Sequence, residues 1–168
     1  MNDDIYAEWI VKRKRPGYYY PAIIGMILAI IFSMVMVMYS IWFLLVFAGA
    51  VMGTYFGRRF LKIEYEYIFV TNELAIDAVY SQTARRRKRK IEMERVEYVE
   101  PTNEERNRNL LEGGNITLED YSSHEPDAET WTIRFNDQEN QYLIVFEPND
   151  KILYAMWRSA PGKVQRQR

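Results

Sequence analysis

The chain has 168 residues, a formal net charge of −1 and 27% charged side chains. Its length leaves room for one membrane segment and one small domain. It contains no cysteine and a single histidine, His124. This composition excludes disulfides, thiolate metal sites and sites built from several histidines.

Residues 1–17 form a short head that ends in a basic cluster. Within it, Ile5, Tyr6, Trp9 and Ile10 recur at helical spacing. A tryptophan next to basic residues is typical of a short helix that lies in the membrane interface, so we predict an interfacial helix here. A disordered terminus is the alternative.

Residues 18–57 run for forty positions without one Asp, Glu, Lys, Arg or His. About 20 helical residues cross a hydrocarbon core roughly 30 Å thick, so this length predicts two crossings. We expect a transmembrane hairpin with helices at 20–38 and 41–56 and a turn at Tyr39 and Ser40. A cleaved signal peptide is the weaker alternative, because a second apolar segment follows at once.

Basic residues flank the uncharged run at both ends and predict its orientation. They are Lys12, Arg13, Lys14 and Arg15 before the run, and Arg58, Arg59 and Lys62 after it. Basic flanks favour the cytoplasmic side, and an even number of crossings lets both flanks remain there. We therefore expect an integral plasma-membrane protein with both termini in the cytoplasm.

Small residues recur every four positions in both predicted helices. The first stripe is Gly25, Ala29 and Ser33, and the second is Gly49, Gly53 and Gly57. Such stripes allow helix backbones to approach closely in lipid, and we expect the two to face each other inside the hairpin. Association of copies of the chain through the same residues is the alternative.

From residue 58 to residue 162 the apolar period indicates strands, followed by one helix. We predict strands at 62–70, 74–80, 87–93 and 95–99, a strand pair at 130–136 and 141–146, and an amphipathic helix at 149–159. Residues 101–129 look irregular, with short elements at most near 110–111 and 116–118, and residues 163–168 form a tail. The predicted fold class is an α+β membrane protein, in which a transmembrane helical hairpin precedes a small antiparallel β-sheet or split barrel closed by a C-terminal helix.

Four stretches carry a resemblance to a known family: IYAEWIVKRK, EYEYIFVTNELAIDAVY, KIEMERVEYVEP and NDKILYAMWRSAP. Together they resemble a bacterial family of small two-helix membrane proteins with a pleckstrin-homology-like cytoplasmic domain. The resemblance implies a fold and no particular chemistry. Lipid-binding pleckstrin domains typically hold headgroups with basic residues in the first hairpin loop. Here that loop is Thr71, Asn72 and Glu73, which argues against a phosphoinositide pocket of that kind.

Six consecutive cations form the strongest charge feature: Arg85, Arg86, Arg87, Lys88, Arg89 and Lys90. They could contact anionic lipid headgroups or an acidic protein partner. Alternatively, they could form a solvated strand edge, neutralised in part by the twelve Asp and Glu residues between 92 and 129. Nucleic acid is disfavoured, because the run carries no aromatic stacking partners and the domain is not basic overall.

One loop gathers polar residues of the types that enzymes use: Asp120, Ser122, Ser123, His124, Glu125 and Asp127. Nucleophile and base normally meet through the fold, whereas these residues are sequence neighbours, so we expect no catalysis, cofactor or metal site. The sequence predicts a membrane-anchored cytoplasmic binding module for a protein partner, anionic headgroups or both. The alternative is a structural or assembly subunit that acts mainly through the hairpin.

Overall fold

The computed structural model describes residues 5–57, 63–80, 84–137 and 140–165. Within these ranges the strands and helices follow in the order β1 (Tyr6–Lys12), α1 (Tyr19–Val37), α2 (Phe43–Gly57), β2 (Ile63–Val70), β3 (Glu73–Tyr80), β4 (Ala84–Glu92), β5 (Val96–Pro101), α3 (Glu104–Glu112), β6 (Ile116–Asp120), β7 (Trp131–Asp137), β8 (Asn140–Phe146) and α4 (Asp150–Ser159). A short 3-10 turn, Met93–Arg95, joins β4 to β5.

The N-terminal segment is a strand, and the prediction of an interfacial helix there is wrong. β1 pairs antiparallel with β2 over its whole length, from Tyr6 opposite Val70 to Lys12 opposite Glu64. The segment also alternates with period two, and its Ala7 and Val11 are buried in the core. Pairing with β2 therefore overrides the helical spacing of the larger apolar residues.

Two apolar helices connect β1 to β2, close to the predicted positions. α1 has 19 residues and is the one described helix that is long and apolar enough to cross a membrane. α2 is also apolar but has 15 residues. The helices pack against each other. Because β1 and β2 are paired, the two ends of this helical segment return to the same end of one sheet.

The small-residue stripes do not face each other, contrary to the prediction. A Cβ atom added at Gly25, Gly49 or Gly53 would meet no atom within 4 Å, and Ala29 is exposed. Ser33 is buried, and a Cβ atom at Gly57 would lie 3.0 Å from Cε of Met26. Met26 and Ile30, one residue after Gly25 and Ala29, are half-buried instead, and one residue is about 100° around a helix. Contact between copies through these residues stays a prediction.

The described strands form two four-stranded sheets. The first has the order β1-β2-β3-β4 and the second β5-β7-β8-β6. All pairs are antiparallel except β6 with β8, which is parallel. The core lies between the sheets, where the ring of Tyr67 packs edge-to-face on Phe146 at 5.7 Å. The hydroxyl of Tyr67 donates to the carbonyl of Tyr121 at 2.6 Å, so a buried hydrogen bond also joins the two halves.

Helices α3 and α4 complete the sandwich. The side chain of Asn149 caps α4 by accepting from the Ile152 amide at 2.9 Å, and Ile152, Ala155 and Met156 enter the core. Residues 101–129, predicted to be irregular, contain both α3 and β6. α3 was missed because it is mostly polar, and its position depends on Asn107, which donates to Oγ1 of Thr132 at 3.1 Å.

Candidate functional site

Both helices leave the sandwich at one end, which we call the helix-proximal pole. Lys12, Glu64, Val79 and Arg85 pair in one row across the first sheet at this end. The loop of residues 121–125 also lies at the helix-proximal pole, because the Lys14 amide donates to the carbonyl of Ser123 at 2.7 Å. The opposite end, the helix-distal pole, carries the row Tyr6, Val70, Glu73 and Glu92.

The basic residues before α1 make specific contacts at the helix-proximal pole. The guanidinium of Arg13 donates to the hydroxyl of Tyr65 at 3.0 Å and lies 3.1 Å from Nε2 of His124. Lys14 pairs with Glu125 at 3.2 Å. The guanidinium of Arg15 lies 4.9 Å from the ring centre of Tyr19. The segment that leads into α1 is therefore fastened to the sandwich, while Arg58, Arg59 and Lys62 lie outside the described residues.

The polar loop after β6 holds itself together through hydrogen bonds. Oδ1 of Asp120 accepts from the amide of Ser122 at 2.8 Å and from its hydroxyl at 2.7 Å. Oγ of Ser123 accepts from the Glu125 amide at 3.1 Å. Nδ1 of His124 lies 3.6 Å from Oδ2 of Asp120. Both serine hydroxyls are buried and bonded within the loop, so this arrangement fixes the loop's shape.

Four cations of the basic run are paired with carboxylates of the same chain. Arg85 bonds to Glu66 at 3.1 Å, Arg87 to Asp77 at 2.9 Å, Arg89 to Glu119 at 2.6 Å, and Lys90 to Glu73 at 2.7 Å. The ammonium of Lys88 lies 6.0 Å from the ring centre of Tyr80. Among the described residues, Arg86 has no hydrogen-bond or ion-pair partner.

The acidic partners come mostly from neighbouring strands. Glu119 is the one partner within the acidic stretch 92–129 that the sequence suggested. Glu66 is only 1% exposed. Burial is the main cause that raises the pKa of Glu66, and a hydrogen bond with Glu8 is the second. Burial also opposes the ionisation of Glu119, but hydrogen bonds from Arg89 and Tyr121 outweigh it and lower the pKa of Glu119. Most cations of the basic run therefore neutralise carboxylates on or near their own sheet.

A cavity of about 430 Å³ lies at the helix-distal pole, lined by Val70, Thr71, Asn72, Glu73, Glu92 and Glu94. Its wall includes the first hairpin loop, where Thr71 adopts a left-handed backbone with φ of 57°. None of its described lining residues is basic, so the cavity offers no cation to a phosphate group. This geometry agrees with the argument against a phosphoinositide pocket in that loop. Within the described part of the chain, no group of three or more His, Asp or Glu residues is arranged to hold a metal ion.

Sequence reasoning missed the contacts that connect Arg13 with Tyr65 and His124. These residues are 52 and 111 positions from Arg13 in the sequence. A local sequence pattern cannot predict a contact between residues so far apart in the sequence. The one available signal was the period-two alternation of residues 6–12, since a strand there would bring the following basic cluster onto the end of a sheet.

Two packed sheets closed by a C-terminal helix define a PH-like domain, a fold that indicates a binding module in general. The chain belongs to the family described as Bacterial PH-like domain (DUF6106), whose sequence profile matches residues 3–166. The predicted resemblance to a bacterial PH-like family is confirmed, and the matched range includes β1, α1 and α2. A search of the curated proteins and a search of the solved structures each found no match.

Proposed function

We propose that this protein is a membrane-anchored, non-catalytic binding module whose sandwich lies at the membrane surface on the α1–α2 hairpin. The observation that carries the proposal is the pairing of β1, before the hairpin, with β2, after it. Strands in one sheet lie on the same side of a membrane. A helical segment between them therefore crosses an even number of times or not at all.

The dimensions of the two helices support two crossings. The 19 residues of α1 span about 28 Å at 1.5 Å per residue. The turn before α2 is also wound, since the amides of Phe43, Leu44 and Leu45 donate three residues back to Ser40, Ile41 and Trp42. Residues 40–57 together then extend for roughly 27 Å, which suits a hydrocarbon core of about 30 Å.

The basic flanks support a cytoplasmic position for the sandwich. The position of each cation along β4 suggests which part of the basic run meets the membrane. Arg85 and Arg86 lie at the helix-proximal pole, whereas Lys90 is five residues further along β4, roughly 16 Å away. Because Arg86 is unpaired among the described residues, we propose that it contacts anionic headgroups, together with basic residues that precede α1.

Charge reversal of Arg86 tests the lipid contact. The sample is a soluble variant in which a flexible linker replaces residues 14–62, so that β1 is kept, and folding is checked first by circular dichroism. We expect it to float with vesicles that contain 30% phosphatidylglycerol and not with pure phosphatidylcholine. Each cation near the surface contributes about 1 kcal/mol, and Arg86→Glu changes the charge by two, so it should weaken binding roughly thirtyfold.

Arg158→Glu is the matched control, because Arg158 is an exposed cation near the helix-distal pole, one residue before Ser159, whose hydroxyl contacts Asn72. This variant should float like the parent. Equal binding of the parent to both kinds of vesicle would end the lipid part of the proposal and favour a protein partner.

The second candidate is an assembly subunit that acts through the hairpin. It is favoured by the open space at Gly25, Gly49 and Gly53, where no other part of the described chain packs. Such smooth surfaces suit close helix–helix contact between copies or with another membrane protein.

A further inference from the structure

The strand β1 lies at an edge of the first sheet and has a partner strand on one side. The Arg13 amide donates to the carbonyl of Ile63 at 3.0 Å. Because hydrogen-bonded residues alternate along an antiparallel pair, the odd-numbered residues of β1 bond to β2, and the amides and carbonyls of Glu8, Ile10 and Lys12 point away from it. No other backbone group of the described chain bonds to these three residues, so this side of β1 is an open edge.

Large apolar side chains along this edge are exposed. Tyr6 is 62% exposed and Ile10 46% exposed, both on the outer face of the sheet. Trp9 lies on the opposite face, where α4 packs near β1, and is still 41% exposed. An exposed apolar edge is a template on which another extended chain can pair.

The other sheet edges in the described chain differ from β1. β4 carries the basic run, and repeated cations protect an edge against pairing. β5 is covered by the end of the chain, because the Val99 amide donates to the carbonyl of Lys163 at 2.7 Å and the Gln165 amide donates to the carbonyl of Val99 at 2.9 Å. β6 is five residues long, whereas β1 has seven. Length, free backbone groups and exposed apolar side chains therefore coincide at β1.

Glu8 adds a negative charge to this edge. The hydroxyl of Tyr6 donates to the carboxylate of Glu8 at 2.5 Å, and this hydrogen bond is the main cause that lowers the pKa of Glu8. On the neighbouring strand, Glu66 is paired with Arg85 at 3.1 Å. Within the described residues, no ion pair involves Glu8. A basic side chain on an added strand would supply the missing positive charge.

We propose that the open edge of β1 is a docking site for an extended, basic segment of a partner protein, which adds to the first sheet as a fifth strand. Backbone groups of the segment bond to the outward amides and carbonyls of Glu8, Ile10 and Lys12. A basic side chain of the segment pairs with Glu8, and its apolar side chains pack beside Ile10 and Trp9. In strand addition the backbone provides affinity and alternate side chains provide specificity. The inference names a class of protein ligand for the binding module and rests on the proposed function in that respect.

A second copy of the chain fits this edge less well than a partner segment does. Antiparallel pairing of two β1 strands places their helix-proximal poles at opposite ends of the joined sheet. Two copies anchored in one membrane would need both poles at the same end. A segment of another protein has no such constraint.

Hydrogen exchange of the full-length protein in nanodiscs of neutral phosphatidylcholine tests whether the edge is open. We expect the amides of Glu8 and Ile10 to exchange more than about tenfold faster than those of Trp9 and Val11, which donate to β2. Equal protection of the two sets would mean that the edge is already covered and would overturn the inference. Protection of Glu8 and Ile10 only in nanodiscs that hold two copies would overturn it in favour of a second copy.

A nine-residue peptide in which arginine alternates with valine is the probe for docking. At about 1 mM it should slow exchange at Glu8 and Ile10 at least about tenfold, and the same peptide with glutamate in place of arginine should not. Glu8→Gln should weaken binding of the arginine peptide about threefold to fivefold. Glu112→Gln is the matched control, because Glu112 is an exposed carboxylate at the end of α3, and this variant should bind like the parent.

Ile10→Pro separates strand addition from simple charge attraction. Proline removes the outward amide at this position and leaves the hydrogen bonds to β2 in place, and it is tolerated at a sheet edge. This variant should weaken peptide binding at least about tenfold, while protected amides of β2 confirm that it is folded. Unchanged binding to folded Ile10→Pro, or no protection of Glu8 and Ile10 by the arginine peptide, would overturn the inference. Because the nanodiscs are neutral, neither result affects the vesicle experiment, which tests the proposed function separately.

Discussion

Removal of β1 is expected to destabilise the sandwich by about 3–5 kcal/mol, although β1 lies ahead of both helices in the sequence. Its loss exposes core surface that Ala7 and Val11 cover and breaks a seven-residue ladder with β2. Burial of a valine side chain is worth about 1.5–3 kcal/mol and each ladder hydrogen bond about 0.5–1.5 kcal/mol, offset by the entropy of ordering the strand. A domain of this size has only about 5–15 kcal/mol in total.

Urea unfolding of two soluble chains measures this effect. One chain joins residues 5–13 through a flexible linker to residues 63–165, and the other replaces residues 5–13 with a Gly/Ser segment of equal length. We expect a lower midpoint for the second chain. Equal stability of the two chains would mean that β1 does not belong to the sheet.

Phe146→Ala is the substitution with the largest expected effect in the core. Phe146 is fully buried between the sheets against Tyr67, so truncation leaves a cavity that the rigid surroundings fill only in part. Phenylalanine-to-alanine changes in such positions cost about 3–5 kcal/mol. We expect this loss in the urea unfolding of the soluble chain that contains β1.

Tyr154→Ala is the matched control, because it removes an aromatic ring that is 62% exposed on α4. It should cost less than about 1 kcal/mol. Similar losses for the two variants would contradict the position of the core between the sheets.

The parts of the fold that sequence reasoning found are those with strong local patterns. The uncharged run placed α1 and α2 within a few residues, and the alternation in β2, β3, β7 and β8 marked those strands. β1 was misread because its large apolar residues also fit a helical period. α3 was missed since Asn107 and the Asn103 cap, rather than an apolar face, position it.

The candidate site was harder to predict for a physical reason. The sequence shows the basic run. Whether its cations are free or paired depends on which carboxylates lie opposite them in the sheet, and the strand register determines those partners. One residue more or less in the bulge between Ile76 and Asp77 would change the partners of Arg85 and Arg87. The helix-proximal pole likewise exists only because β1 and β2 pair across the hairpin, a contact between residues more than fifty positions apart.

Cross-linking of β1 to β2 in whole cells is the most direct test of their pairing around the two helices. The chain contains no cysteine, so a pair of introduced cysteines has no background. Glu8 lies opposite Ile68, a spacing that a disulfide can bridge. Oxidation of the Glu8→Cys, Ile68→Cys protein should close a loop that contains both helices and shift its mobility on a gel.

Glu8→Cys paired with Glu64→Cys is the control, because these positions are four residues out of register, roughly 13 Å apart. We expect an intramolecular disulfide in the first pair and none in the second. A disulfide in neither pair, with both proteins folded, would contradict the pairing of β1 with β2.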